Sequence, residues 1–192
     1  MLKRELVLIA CLFVLSSSAV SAMNVKYFSD DYRIREALVM LDDIGAKDVI
    51  ENLQENSVKI IFYDLTQISF EYGKHFAMNT TDTWGNRYIL INSKFINAPT
   101  EQIACLIAHE SCHKGKVVTM AEETKATRTE ARYWQVLKKH NVHYANTSLT
   151  NRLNSLANLE SSSTVGHDYI QDRISNSKFY QSQLAVRERK AF

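Results

Sequence analysis

The run Ile103-Ala104-Cys105-Leu106-Ile107-Ala108-His109-Glu110-Ser111-Cys112-His113 constrains this chain more than any other stretch. It is apolar and helix-favouring up to Ala108, and then places two histidines four residues apart. On a helix such residues lie one above the other on the same face, about 5 to 6 Å apart at Cβ. Two imidazoles can then aim at one point, and a zinc ion fits there. Glu110 follows the first histidine and is rotated off that axis, which suits a base acting on metal-held water better than a third ligand. The competing reading is a core helix with hydrogen-bonded histidines and a solvated Glu110. Leu106-Ile107-Ala108 before the motif, and uncharged Ser111 and Cys112 within it, are compatible with a buried helix that carries one polar stripe.

These residues resemble the His-Glu-x-x-His motif of the zincin metallopeptidases. Two departures bear on the expected geometry. Lys114 and Gly115 stand where those families keep uncharged and then hydrophobic residues, so the helix is expected to end about one turn after His113. Lys116 and Thr119 occupy the places of the metzincin glycine and third histidine, so the third ligand must come from elsewhere.

Downstream, Met120 to Trp134 reads as a second helix rich in carboxylates. It is similar to the gluzincin arrangement, in which a glutamate followed three residues later by alanine completes a His, His, Glu site. Glu123-x-x-Ala126 fits that spacing, so the resemblance implies zinc held by His109, His113 and Glu123, with Glu110 as the catalytic base. Glu123, Thr127, Glu130 and Trp134 share one helical face, which lets Glu130 orient a ligand histidine from behind. Glu130, and then Glu122, remain alternatives for the third ligand, although Glu122 points elsewhere. Carboxylates at a helix start also favour the helix dipole with no metal at all. The resemblance covers Ile103 to Trp134, and only the five-residue motif is specific.

Met1–Ala22 has the anatomy of a secretory signal: Lys3 and Arg4, the apolar run Leu6 to Leu15, then small residues ending at Ala22. Its apolar core is too short to span a bilayer, so stable membrane insertion is not expected. A lipoprotein reading through Leu8-Ile9-Ala10-Cys11 is disfavoured, because Leu12-Phe13-Val14-Leu15 continues the apolar run past the cysteine. Cleavage after Ala22 leaves residues 23–192, long enough for one domain with its own core. It also removes Lys3, Arg4 and Glu5, taking the formal charge from +2 to +1. Near-neutral charge with interspersed signs offers nothing to nucleic acid, and Arg187-Glu188-Arg189-Lys190 reads as a solvated end. Cys105 and Cys112 are too few for a disulfide framework. On one helix they stand about 10.5 Å apart along the axis, beyond disulfide reach, and read as small buried hydrophobes.

From Ser29 the stripe Ile34, Ala37, Leu38, Leu41 and Ile44 predicts a helix ended by Gly45, and a shorter helix is expected over Lys47 to Glu55. Val58 to Tyr63 and Gln67 to Tyr72 are rich in β-branched and aromatic residues and predict two strands. His75 to Asn79 and Arg87 to Asn92 predict a hairpin with a long polar loop. The resemblance makes Arg87–Asn92 the candidate for the strand that edges the cleft and pairs with an extended substrate; the competing reading is an ordinary paired strand. Pro99-Thr100 predicts a helix capped by Thr100 and starting at Glu101. Leu149, Leu153, Leu156 and Leu159 form a later stripe, and Val165, Tyr169, Ile170 and Ile174 another, broken at Ser161-Ser162-Ser163. His140, His143, Tyr144, His167 and Tyr169 are possible oxyanion donors, and His75 is uncommitted. Asn79-Thr80-Thr81 and Asn146-Thr147-Ser148 match glycosylation sequons.

The expected architecture is α+β, predominantly helical and zincin-like, with a small antiparallel sheet packed on the motif helix. The expected function is a secreted or periplasmic zinc metallopeptidase, in which Glu110 activates a zinc-held water against a peptide or protein substrate. The rivals are a secreted, zinc-stapled binding or structural module, and a peptidase-derived inhibitor or adhesin that keeps the fold without turnover.

Overall fold

A computed structural model describes residues 24–114, 119–141, 143–162 and 164–176, the last segment with side chains from 168 onward. Met1–Ala22 with Cys11, Gly115, Lys116, the basic cluster at 187–190 and the side chains of Val165 and His167 lie outside the described residues.

Helix α1, Tyr32–Asp43, begins where Asp31 accepts from the backbone N–H groups of Arg33 and Ile34, the usual way to satisfy the orphan donors of a first turn. It buries Ile34, Ala37, Leu38 and Leu41 and ends at Gly45, whose φ of 71° is a left-handed conformation suited to glycine. Helix α2, Lys47–Glu55, buries Val49, Ile50 and Leu53. Strands β1 (Lys59–Tyr63), β2 (Ala77–Thr81) and β3 (Arg87–Asn92) form one sheet in the order β1-β3-β2.

The sheet is mixed, which corrects the expected antiparallel sheet. β2 and β3 are the antiparallel hairpin, with Asn79 opposite Ile89 and Ala77 opposite Ile91. β1 runs parallel to β3, with Ile60 opposite Ile89. A parallel pair needs a crossover, and residues 64–76 supply it by passing from β1 to the far side of β3. This is also why Gln67 to Tyr72 is not a strand. Asp64 accepts from Thr66 N–H, and Ser69 Oγ accepts from Tyr72 N–H, turning the chain through two short 3₁₀ segments. Phe70 is left 77% exposed, with no sheet face to pack on. Asn92, buried at the end of β3, ties the crossover down by donating to the carbonyls of Gly73 and His75 at 3.1 and 2.9 Å.

Helix α3, Thr100–Ser111, lies beneath the sheet, and each of its residues from Glu101 onward is buried. It starts one residue earlier than expected: Pro99, not Thr100, holds the cap position, and no side chain caps it. Strands β2 and β3 press on it from one side, where Ile89 and Ile91 are buried, and α1 from another. Helix α4, Met120–Leu137, closes the remaining side and bears on α5, Ser148–Ser161, and α6, Thr164–Ser175. Leu149, Leu153, Leu156, Ile170 and Ile174 are buried, as their spacing predicts, whereas Tyr169 is exposed. Trp134 has no exposed surface; its indole N–H donates to Asn154 and its ring meets Tyr144 edge-on. The architecture is therefore α+β and mainly helical, with the motif helix buried along its length from Glu101 to Ser111. No helix among the described residues is long and apolar enough to cross a membrane.

Candidate metal centre

The centre forms where the C-terminal end of α3 meets the first turns of α4. His109 sits in the last turn of α3, but the helix stops at Ser111, with Cys112 at the cap. His113 therefore lies beyond the helix rather than one turn inside it, as expected from sequence. A tighter turn takes over, in which His113 N–H donates to the Glu110 carbonyl at 3.3 Å. It still leaves the two imidazoles 5.3 Å apart between ring centroids and inclined at 66°.

Glu123, in the first turn of α4, completes the cluster. Its Oε1 is 3.5 Å from His109 Nε2 and its Oε2 is 3.5 Å from His113 Nε2. One donor atom from each of the three residues lies within 4.8 Å of the others, and all three residues are buried. A tetrahedral ion with bonds of about 2.0 to 2.1 Å separates its ligand atoms by about 3.3 Å. The donor set thus has the size and the nitrogen and oxygen chemistry of a zinc site, and it is the only such group found among the described residues.

Behind His109, Glu130 has no exposed surface and receives His109 Nδ1 at 3.0 Å on Oε2, while Arg152 of α5 binds Oε1. Burial alone would raise the Glu130 carboxyl, but Arg152 and His109 outweigh it and hold it below the ordinary range. The same pairing fixes the His109 ring and leaves Nε2 facing Glu123. Glu130 is thereby placed as the orienting carboxylate. Glu122 is placed elsewhere: it closes a capping box with Thr119 at the start of α4 and accepts from Lys114 N–H at 3.4 Å.

Charge argues for a cation here. Glu110, Glu123 and Glu130 are all buried within this small volume, with Arg152 beside Glu130, and buried charge must be compensated. Without a metal, protons compensate it. Burial works against a proton on His109, but Glu123 and Glu130 hold it well above the ordinary histidine range. Burial pushes the Glu110 carboxyl up to about 7, with His109 opposing and Glu123 adding. Burial, then the charge on His109, pushes His113 down to about 4.

Residues with no sequence signal complete the setting. Asn79 of β2 donates to the carbonyls of Glu110 and His113 at 3.0 and 3.4 Å. Arg87 of β3 donates to the same His113 carbonyl and to Asn79 Oδ1. In the sequence Asn79 stood out only as a strand end and a sequon, and Arg87 only as a strand end. Strand β3 itself is bonded on both sides, so the expectation that Arg87–Asn92 edges the cleft is corrected: the sheet edge next to the centre is β2.

Of the possible oxyanion donors, Tyr144 packs by Trp134 and interacts with Glu101 in the first turn of α3, the far end from Glu110. His140 lines a groove with Tyr32 and Met40 of α1, and His143 and Tyr169 are exposed. His75, just before β2, is half-buried and feels the charge of Glu123. Burial and then Lys94 push it down, with Glu123 and Glu71 opposing. Cys105 and Cys112 are free, buried thiols. Neither protein-family models, nor curated proteins, nor solved structures give a match to this chain.

Proposed function

We propose that the protein is a zinc-dependent metallopeptidase of gluzincin type, with His109, His113 and Glu123 as metal ligands and Glu110 as the base. The observation that carries this reading is the convergence of both Nε2 atoms on the two oxygens of one buried Glu123 carboxylate, with Glu110 on the same helix end. Three protein donors leave a tetrahedral ion one open position, the mark of a catalytic rather than a structural zinc site. That count, made among the described residues, favours an enzyme over a zinc-stapled module, whose site would be closed by a fourth ligand.

When bound, zinc supplies a Lewis acid for the scissile carbonyl and lowers the pKa of water at its open position toward about 7. Glu110 takes the proton of the attacking water and returns it to the leaving amine. Glu130, backed by Arg152, keeps the His109 ring in the tautomer that presents Nε2. An extended substrate adds to the open side of β2, where main-chain pairing holds a peptide with little regard to its side chains. The reading includes export, with Met1–Ala22 as a cleaved signal and action in the periplasm or outside the cell. N-terminal sequencing of the exported protein tests that part.

Elemental analysis of the purified full chain beside His113→Ala tests the centre. The expected result is one zinc per wild-type chain, lost in the variant. A wild-type chain that takes up no zinc on reconstitution would reduce His109 and His113 to core histidines and remove the enzymatic reading.

A further inference from the structure

Resting on the reading of this centre as a metal site, we infer that Asn79 and Arg87 are positioning residues for His113: the β2–β3 hairpin, not helix α3, holds the second histidine in place. In a regular helix the spacing of two ligands four residues apart is set by continuous backbone hydrogen bonding. Here α3 ends at Ser111, and the regular helical ladder gives way to a single tighter bond, from His113 N–H to the Glu110 carbonyl at 3.3 Å.

The two histidines are held by different means. His109 is fixed through its ring, because Nδ1 is bound by Glu130 and Glu130 by Arg152. His113 has no such support: its Nδ1 is buried with no hydrogen-bond partner among the described residues. A metal-binding histidine is normally oriented by a partner on its second nitrogen, so the orientation of His113 must come through its main chain. The main chain is where the contacts are. The His113 carbonyl receives Arg87 Nη2 and, at 3.4 Å, Asn79 Nδ2; Asn79 also binds the Glu110 carbonyl at 3.0 Å and is itself bound by Arg87 at 3.2 Å.

The next residue is held from the opposite side, where Lys114 N–H meets the Glu122 carboxylate that caps α4. His113 is thus held between the hairpin and the start of the helix that carries Glu123. Asn79 and Arg87 lie on paired strands, with Thr81 opposite Arg87 and Asn79 opposite Ile89, so both side chains come from a rigid ladder rather than from a loop. A carbonyl that receives two donors from such a ladder ties the backbone at His113 to the hairpin.

The test uses the full chain with zinc(II) and cobalt(II) as probes. Zinc affinity is read by competition with a chelating dye, and site geometry by the d–d absorption of the cobalt protein at saturation. Arg87→Gln and Asn79→Ala are each expected to weaken zinc binding about 10- to 100-fold and to change the saturated cobalt spectrum. Arg87→Lys, which can still donate to the carbonyl, is expected to recover most of both. Circular dichroism shows that the variants compared are folded, and Asn79→Ala, a small deletion at a half-buried position, serves if Arg87→Gln is not. Folded variants with wild-type affinity and spectrum would overturn the inference. Weakened affinity with an unchanged saturated spectrum would overturn it too, by assigning the pair a general structural role. A wild-type chain that binds neither ion would instead remove the metal reading on which the inference stands.

Discussion

His109 and Glu130 are joined in the interior of the protein, with Nδ1 3.0 Å from a carboxylate oxygen that has no exposed surface. The pairing decides which imidazole nitrogen is left for a metal. Glu130→Gln keeps an acceptor in place but removes the charge that holds the ring and balances Arg152. Zinc affinity is expected to fall about 10- to 100-fold, as is usual when the partner behind a ligand is altered. Arg152→Ala should act mainly on stability, because it removes one of the two cationic partners of the buried Glu130. A loss on the order of 3 kcal/mol is expected by urea unfolding in the presence of chelator.

Glu110→Gln separates binding from chemistry. The amide has nearly the shape of the carboxyl and Glu110 is not one of the three proposed ligands, so zinc content should stay at the wild-type level. Turnover of a peptide substrate should fall by at least about 10²- to 10⁴-fold, the usual contribution of a general base. Zinc content and turnover measured on one preparation check both halves. Wild-type turnover in a zinc-loaded Glu110→Gln protein would reject Glu110 as the base.

Glu122 and Glu123 are adjacent in sequence and differ in role, so their alanine variants should differ in kind. Glu123→Ala removes the carboxylate shared by both imidazoles and should abolish stoichiometric zinc binding. Glu122→Ala breaks the capping box with Thr119 and should cost about 0.3 to 1 kcal/mol of stability, with zinc still bound. Elemental analysis beside thermal unfolding of each variant distinguishes the two losses.

Local patterns made much of this legible. The stripe of α1, the Gly45 stop and the helix over Lys47–Glu55 follow from spacing and turn chemistry within a few residues. Glu123 and Glu130 share a face with Thr127 because α4 is a regular helix, although that spacing alone left Glu130 and then Glu122 open as alternatives to Glu123. What the sequence hid depends on partners distant in the chain. Gln67 to Tyr72 has the composition of a strand, but Asp64 and Ser69 bend it, and the sheet order gives it no neighbour to pair with. Asn79 and Arg87 have no periodicity to betray them. Their contacts to His113 span 34 and 26 residues and exist only because the hairpin folds over the end of α3. The early end of α3 was hidden for the same reason, since the hairpin supplies the hydrogen bonds that a further helical turn would have made.

The proton on His109 sets how zinc binding and stability should depend on pH. Without metal, Glu123 and Glu130 outweigh burial and hold this histidine well above its ordinary value, so it is charged at neutral pH. Zinc needs Nε2 free, and the proton must leave as the metal enters. His113, held down to about 4, is already neutral at pH 7 and releases nothing there. Glu110, at about 7, gives up a further fraction of a proton. In the Glu110→Gln protein at pH 7, zinc binding should therefore release about one proton, with affinity rising about tenfold per pH unit below the raised value of His109. Calorimetry in buffers of different ionisation enthalpy measures the release. The same raised value fixes the sign for the metal-free protein. The His109 pairing contributes fully below the unfolded histidine value of about 6.5 and is lost as pH rises through the folded one. Above pH 7 the metal-free melting temperature should then fall with rising pH, and saturating zinc should remove that slope. A metal-free protein whose stability is flat above pH 7, and which releases no proton on taking up zinc, would show that His109 is not charged between Glu123 and Glu130.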